Sequence, residues 1–169
     1  MYITGIKPGE VYTSTDIAEG RGFKAQSLGS DQNGKVYMFV LVAASQNLSN
    51  GNVVTLTNAT GGGIATVLAS AAPTPGAAAQ PIGVCVTSIT ASASTYIWAQ
   101  IYGSCQVGFT DTTASNIAGH TVTPSSVPGS VKGGLATASS FIEGMVITTT
   151  TTVAGLGAVF LTFPRLSPA

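Results

Sequence analysis

An alternation of apolar and polar residues from Tyr96 to Phe109 constrains the fold of this chain more than any other feature of its sequence. A period of two places successive side chains on opposite faces of a strand, and it cannot form one face of a helix. The sequence therefore predicts a long β-strand with its odd-numbered positions toward a core. Those positions are Ile97, Ala99, Ile101, Gly103, Cys105, Val107 and Phe109.

The even-numbered positions of this strand carry its largest aromatic side chains, Tyr96, Trp98 and Tyr102. Two explanations fit them. They cover a second layer of the same fold, or they anchor contacts with another protein, since Trp and Tyr contribute heavily to binding energy. Both explanations remain open, and we treat the three residues as candidate interface residues.

Other strand patterns follow residue 35. Val36–Ala44 is apolar on both faces, which predicts a central or sandwiched strand. The Asn-Gly pairs at 33–34 and 50–51 predict hairpins with type I′ turns. The Pro-containing segment Ala69–Gln80 predicts a loop, and the run Thr148–Thr152 predicts a solvated strand end and hairpin. The segments Asn52–Thr57 and Ile64–Leu68 flank the glycine-rich residues 60–63 and predict another short hairpin. Shorter strand patterns also occur at Pro81–Val86, Phe141–Thr148 and Ala158–Phe163.

These strands are separated by frequent turn residues, and almost no segment has the apolar stripe of a helix. The predicted fold class is therefore all-β, an antiparallel barrel or sandwich of short strands.

The N-terminal segment differs in kind, because eight of the twelve charged residues fall between Lys7 and Lys35 and none lies between Val36 and Thr110. We predict an extended arm at residues 1–27 and a single β-domain at residues 28–169, which we expect to fold without residues 1–26. Such an arm gains order on a partner or pairs with its own domain. Its candidate interface residues are Tyr2, Ile6, Tyr12 and Phe23.

Residues that carry catalysis are scarce. His120 is the only histidine, and no serine lies in a Gly-x-Ser-x-Gly motif. The carboxylates are dispersed, apart from the pair Asp16 and Glu19. This pair lies beside Arg21, which indicates a solvated salt-bridge cluster. The glycines at 61–63 lack the Lys-Ser/Thr of a phosphate-binding loop. We predict no catalytic residue, no cofactor and no metal site.

The two cysteines, Cys85 and Cys105, lack the paired spacing of a zinc site, and we expect buried thiols rather than a disulfide. This expectation follows from synthesis in a reducing cytoplasm, which we infer because residues 1–15 do not have the pattern of a secretory signal.

The charge balance limits the possible partners. Six basic residues balance six acidic ones, so no net field attracts nucleic acid or an anionic membrane. The longest apolar run, Val36–Ala44, is under half the length that a membrane-spanning helix needs. A large neutral polar surface suits a protein that lies against other proteins, although it also fits an unusually uncharged surface in solvent.

A series of short phrases resembles the β-rich decoration, or cement, proteins of tailed-bacteriophage heads and related prophage virion proteins. Each phrase consists of common strand and turn residues, and the resemblance lies in their order over roughly residues 28 to 165. The phrases are Leu28–Gly29, Asn33–Val40, Leu48–Leu56, Pro81–Val86, Tyr96–Gly103, Ile142–Val146 and Val159–Arg165.

The resemblance implies a structural protein on the virion surface that binds the major capsid protein, commonly as a homotrimer, and stiffens the shell after head maturation. It brings no catalytic residues. The longer N-terminal arm and the Ala69–Gln80 loop depart from the smallest members of this group. The alternatives are another virion component, such as a head-fibre base, tail or adaptor protein, and a carbohydrate-binding β-sandwich.

Overall fold

The computed structural model describes residues 2–59, 62–67, 80–90, 95–110, 116–134 and 140–168. Nearly all regular structure in these residues is β-strand, and the only helix, α1 (Ser14–Ala18), is short. The predicted all-β fold class is confirmed. The strands are β1 (Tyr2–Thr4), β2 (Tyr12–Thr13), β3 (Leu28–Ser30), β4 (Val36–Val42), β5 (Asn47–Leu48), β6 (Val53–Ala59), β7 (Gly62–Val67), β8 (Gln80–Cys85), β9 (Ile89–Thr90), β10 (Thr95–Phe109), β11 (Thr121–Pro124), β12 (Val131–Gly133), β13 (Ser140–Ile147) and β14 (Gly155–Pro168).

One large sheet joins most of the described strands, in the order β1-β3-β4-β7-β6-β8-β14-β13-β11-β12-β10-β2. The pairing is mixed: most neighbours are antiparallel, whereas β1 with β3, β4 with β7 and β10 with β12 are parallel. Strand β10 also pairs with β4, β8 and β14, so the sheet curls back on itself as in a barrel or sandwich. Strands β5 and β9 form a separate pair.

The long strand β10 changes partner halfway along its length. Its first half, Thr95 to Tyr102, pairs with β4, and its second half, Tyr102 to Phe109, pairs with β14. The register shifts between Gln100 and Tyr102 where the change occurs. One continuous strand therefore connects two parts of the fold.

A row of irregular backbone positions crosses the sheet beside this change. Gly103 in β10, Gly144 in β13 and Phe163 in β14 all have left-handed backbone, with φ of 94°, 73° and 52°. A Cβ on Gly144 would lie 2.7 Å from the Thr162 carbonyl oxygen, so this close approach requires glycine. Irregularities of this kind bend strands and increase their twist, and they coincide with the line along which β10 passes from β4 to β14.

The odd-numbered residues of β10 face the core, as the alternation predicts. Ile97 and Ala99 belong to one buried cluster with residues of β4 and β6, and Val107 and Phe109 belong to another with residues of β13 and β14. Strand β4 is buried on both faces, as predicted, since Val40 packs in the first cluster while Phe39 on its other face packs elsewhere.

The N-terminal arm lies on its own domain. Strand β1 pairs with β3, and β2 pairs with β10 opposite Thr95 and Tyr96. Arm and domain residues share a third buried cluster, centred on Phe39 and Trp98. The predicted boundary at residue 27 therefore does not separate two packing units.

The turn at Asn33-Gly34 joins the β3–β4 hairpin, as predicted, but it is not of type I′. That type needs positive φ at both central residues, and only Gly34 has it, at 76°. The Asp31 carboxylate explains the difference, because its Oδ1 accepts hydrogen bonds from the Asn33 N–H at 2.9 Å and the Lys35 N–H at 3.0 Å. These bonds support a longer turn with glycine at its left-handed position.

The hairpin predicted at Asn50-Gly51 is wrong. Strand β5 before the turn pairs with β9, whereas β6 after it pairs with β7 and β8. The Gly51 N–H donates to the Cys85 carbonyl at 2.8 Å, and the Gly51 carbonyl accepts from the Gly108 N–H at 3.0 Å. Bonds to distant strands replace those of a local hairpin.

The β6–β7 and β13–β14 hairpins form as the patterns predicted, with Thr148–Thr152 mostly exposed between the latter two strands. Of the predicted loop at Ala69–Gln80, residues 69–79 lie outside the described residues, and Gln80 begins β8.

Candidate interaction surfaces

Five aromatic side chains pack into what we call the covered aromatic cluster, formed by Tyr12, Phe23, Phe39, Tyr96 and Trp98. The Phe39 ring centroid lies 5.0 Å from that of Trp98, 5.4 Å from that of Tyr12 and 5.6 Å from that of Tyr96. Phe39 and Trp98 are completely buried. Because Tyr12 and Phe23 come from the arm, residues 2–27 complete this part of the interior.

Local contacts order the middle of the arm around the short helix α1. Thr13 caps helix α1, accepting a hydrogen bond from the Asp16 N–H, while the Asp16 carboxylate accepts one from the Thr13 N–H at 2.7 Å. This reciprocal pair is a capping box, which stabilises the start of a helix. Arg21 forms ion pairs with Asp16 at 2.8 Å and Glu19 at 2.6 Å, with its own side chain 64% exposed. The predicted solvated salt-bridge cluster is confirmed.

Two tyrosines in this part of the fold are held in their neutral form: Tyr12, a member of the covered aromatic cluster, and Tyr37, which packs beside it. The Tyr12 hydroxyl donates to a Glu10 carboxylate oxygen at 2.7 Å. Burial, followed by the bond to Glu10, raises the pKa of Tyr12 to about 12. Burial and the neighbouring Asp31 carboxylate also raise the pKa of Tyr37 above its usual value.

The structure divides the predicted interface residues into three groups. Trp98 and Ile6 are buried, so the interface role predicted for them is corrected: they cannot touch another chain unless the arm moves. Tyr12, Phe23 and Tyr96 are half-buried and pack against the same buried residues. The second-layer explanation therefore holds for the aromatic residues of the first half of β10. The third group consists of Tyr2, which is 57% exposed, and Tyr102, which is half-buried but lies on another part of the surface.

Tyr102 belongs to a second surface, which we call the outer aromatic face, together with Val146, Leu156, Phe160 and Phe163. The Tyr102 ring centroid lies 5.7 Å from that of Phe160 and 5.5 Å from that of Phe163. Phe163 is 59% exposed, Leu156 51% and Val146 37%. No arm residue joins these ring contacts, and the face lies on β10, β13 and β14.

Sequence patterns alone did not identify the residues of β13 and β14 on this face. Phe160 alternates with Val159 and Leu161, which indicates that its side chain points outward. The contact of Phe160 with Tyr102, however, depends on the register between β10 and β14, which places Ser104 opposite Phe160. Phe163 gives no such signal, since its outward direction arises from a left-handed backbone within the strand.

Phe163 combines exposure with backbone strain. A bulky residue at positive φ costs of order 1–3 kcal/mol, and its φ is 52°. An exposed ring recovers little of that cost through burial within its own chain. Residues whose backbone conformation is unfavourable for their type are often functional.

The outer aromatic face carries almost no free charge. Strand β10 has no charged residue, and Arg165, the only charged residue of β14, forms an ion pair with Glu143 of β13. This contact with Arg165 lowers the pKa of Glu143 and keeps it ionised. The face is therefore suited to an uncharged protein surface rather than to phosphate or a charged peptide.

Groups that could support catalysis are dispersed in the part of the chain that the structure describes. There, no three His, Cys, Asp or Glu side chains lie close enough to hold a metal ion. Cys85 and Cys105 are free thiols. Burial raises the pKa of both, that of Cys105 to about 12, so both are protonated and weakly nucleophilic near neutral pH.

An open groove of about 510 Å³ lies between the loop 5–10 and the turn 31–33. Its charged groups have partners: Lys7 pairs with Glu10 at 3.2 Å, and the second oxygen of Asp31 accepts from the Tyr37 hydroxyl at 3.2 Å. Lys7, Glu10 and Asp31 therefore all have partners, and none of these three groups is an unpaired charge that could orient an ionic ligand.

None of the helices described is long and apolar enough to cross a membrane. No protein-family model matches this chain, and no curated protein matches its sequence significantly.

Proposed function

We propose that this protein is a non-catalytic structural subunit that binds the major capsid protein on the outside of a bacteriophage head and stabilises the shell. The observation that carries the proposal is the outer aromatic face, a neutral sheet surface with exposed apolar side chains. Uncovered apolar groups of this kind mark sites of protein contact. The order of the sequence phrases from residue 28 to 165 supports the capsid as the partner.

A stabilising role places simple demands on the subunit. It must be rigid, and it must contact several shell subunits so that modest individual contacts add up to tight attachment. The pairing of the continuous strand β10 with β4, β8 and β14 supports the first demand. The stretch from Val36 to Thr110 contains no charged residue, so the part of it that lies on the surface can contact the shell without like-charge repulsion.

Cosedimentation with purified, undecorated heads tests this proposal. We expect saturable binding in a copy number comparable to that of the major shell protein, and retention of binding across a salt series because apolar burial is little affected by screening. Absence of binding, or complete release at moderate salt, would contradict the proposed attachment through a neutral surface.

The same experiment separates this function from other virion roles. A head-fibre base, tail or adaptor protein would copurify with virions in only a few copies per particle. Decoration requires many copies, distributed over the shell.

One observation favours a carbohydrate-binding function as the second candidate. The half-buried Tyr102 and the exposed Phe163 form an aromatic pair. Thr162 lies opposite Tyr102, with its hydroxyl donating to the Gly144 carbonyl, and binding sites combine apolar walls with a few polar groups. Binding to a panel of immobilised glycans, lost on Tyr102→Ala, would favour this candidate over the capsid.

A further inference from the structure

Two Asn-Gly pairs, at 33–34 and 50–51, lie in opposite environments of the fold. An Asn-Gly pair is a reactive context for loss of the asparagine side-chain amide, because glycine has no side chain that keeps its backbone nitrogen away from the neighbouring amide carbon. Asparagine is accordingly among the thermolabile residues of proteins. Whether a given pair reacts depends on how freely the backbone around its glycine can turn.

The backbone of Asn50-Gly51 is held on both sides of the glycine. The Gly51 N–H donates to the Cys85 carbonyl at 2.8 Å, and the Gly51 carbonyl accepts from the Gly108 N–H at 3.0 Å. Gly51 is buried, and a Cβ placed on it would lie 2.4 Å from a methyl carbon of Leu156. The Gly51 nitrogen therefore cannot turn toward the Asn50 side chain without breaking buried hydrogen bonds.

The backbone of Asn33-Gly34 lies in an open turn. Both residues are exposed, and a Cβ placed on Gly34 would have nothing within 4 Å beyond its chain neighbours. The Gly34 N–H donates to the Asp31 carbonyl at 3.3 Å, which is long for a bond of this type. The shorter bonds of the turn, at 2.9 Å and 3.0 Å, come from the N–H groups of Asn33 and Lys35. The Gly34 nitrogen is therefore held more weakly than the nitrogens on either side of it.

We propose that Asn33 is a site of spontaneous deamidation in the folded protein, and that Asn50 is protected from the same reaction. The Gly34 nitrogen loses its proton and forms a bond to the side-chain amide carbon of Asn33. The bond from that carbon to the amide nitrogen breaks, and ammonia leaves with the proton, which gives a cyclic imide. Water then opens the ring at either carbonyl and yields an aspartyl or an isoaspartyl residue. No group is oxidised or reduced, and water is the only co-reactant.

Either product changes the turn and the groove beside it. A carboxylate at position 33 adds negative charge close to Asp31, in the groove that Asn33 lines together with Glu10. The isoaspartyl product also adds one carbon to the backbone between the Asn33 and Lys35 N–H groups, which now donate to the same Asp31 oxygen. The chain, whose formal net charge is zero, becomes negatively charged. This modification concerns the free protein and does not depend on the proposed function.

Peptide mapping of the full chain after incubation at mildly alkaline pH tests this modification. Trypsin releases residues 25–35, in which Asn33 is the only asparagine, and mass spectrometry distinguishes the amide from its acid products. A second protease gives a peptide that reports on Asn50. In the folded protein we expect Asn33 to react at least about tenfold faster than Asn50, the factor expected when reaction must leave one buried carbonyl without its donor. In urea, where both pairs are unfolded, the two rates should be similar.

Asn33→Gln is the matched control, because the longer side chain must close a larger and less favourable ring. It should remove the acidic species that ion exchange separates from the neutral chain early in the incubation. The proposal is overturned if Asn33 keeps its amide in the folded protein over a period in which it reacts in urea. Equal rates at Asn33 and Asn50 in the folded protein would also overturn it, since the contacts of Gly51 would then give no protection.

Discussion

The aromatic side chains of strand β10 follow one alternating sequence pattern, but they lie in two different environments. Tyr96 and Trp98 point to the side of the strand that the arm covers, and Trp98 is completely buried. Tyr102 follows in the same period-two series, but its neighbours are Phe160 and the exposed Phe163. The first group completes an interior, whereas the second forms part of a surface.

The difference shows that alternation identifies a face but not what covers it. Over the first half of β10, residues of the same chain supply the cover through Tyr12 and Phe23. Over the second half, the strand has changed partner to β14 and the arm no longer overlies it. Aromatic residues left without intramolecular cover are the ones available to another molecule.

Deletion of residues 1–26 gives the largest expected effect. It uncovers Phe39 and Trp98 and removes β1 and β2 from the sheet, so we now expect loss of cooperative folding instead of the intact domain that the sequence favoured. The free energy of unfolding should fall by at least about 3–5 kcal/mol, as it does when a large buried aromatic side chain is removed. Thermal melts followed by circular dichroism provide the measurement.

Deletion of residues 1–4 alone is the matched control for that experiment, since it removes only the edge strand β1 with its exposed Tyr2. It should leave a cooperative transition. A chain lacking residues 1–26 that melted at the wild-type temperature would show that the covered aromatic cluster does not need the arm.

Trp98→Ala tests the covered cluster by a single substitution. Trp98 is completely buried against Phe39 and Phe23, and truncation leaves a cavity, so we expect a loss of about 3–5 kcal/mol in the free energy of unfolding. Urea denaturation measures it. A loss below about 1 kcal/mol would mean that the cluster is loosely packed.

Tyr102→Ala provides the comparison on the outer aromatic face. Tyr102 is half-buried, and its contacts with Phe160 and Phe163 are lost, so we expect a decrease of only about 1 kcal/mol in the free energy of unfolding. The same urea experiment applies. A cost equal to that of Trp98→Ala would remove the distinction between the two groups.

Tyr12→Phe should have a small effect near neutral pH and a larger one in alkali. The folded-state pKa of Tyr12, about 12, lies above its usual value of 10.0, so its contribution to stability is complete below pH 10 and is lost as pH rises toward 12. The variant should lose less stability over that interval. The pKa of Tyr37 is also raised, so the variant should still lose some stability in alkali.

Urea midpoints of the wild type and Tyr12→Phe at several pH values between 8 and about 12 test this difference. Parallel alkaline losses in the two proteins would show that Tyr12 ionises equally in the folded and unfolded chains.

Much of the fold was predictable because it depends on local periodicity. The core face of β10, the two-sided burial of β4 and the β6–β7 and β13–β14 hairpins all follow from the order of apolar residues and turns. The absence of a hairpin at Asn50-Gly51 was not predictable in this way. This Asn-Gly pair favours a tight turn, but the Gly51 backbone bonds to Cys85 and Gly108 instead.

By itself, the sequence determined the all-β fold class, the orientation of β10 and the scarcity of catalytic groups, because these depend on residue type and spacing. Only the tertiary structure decided which aromatic residues are covered. Cover depends on strand register and on the path of the arm, which bring Tyr12 to Phe39 and leave Phe163 exposed. Those contacts join residues far apart in the chain, and no local pattern specifies them.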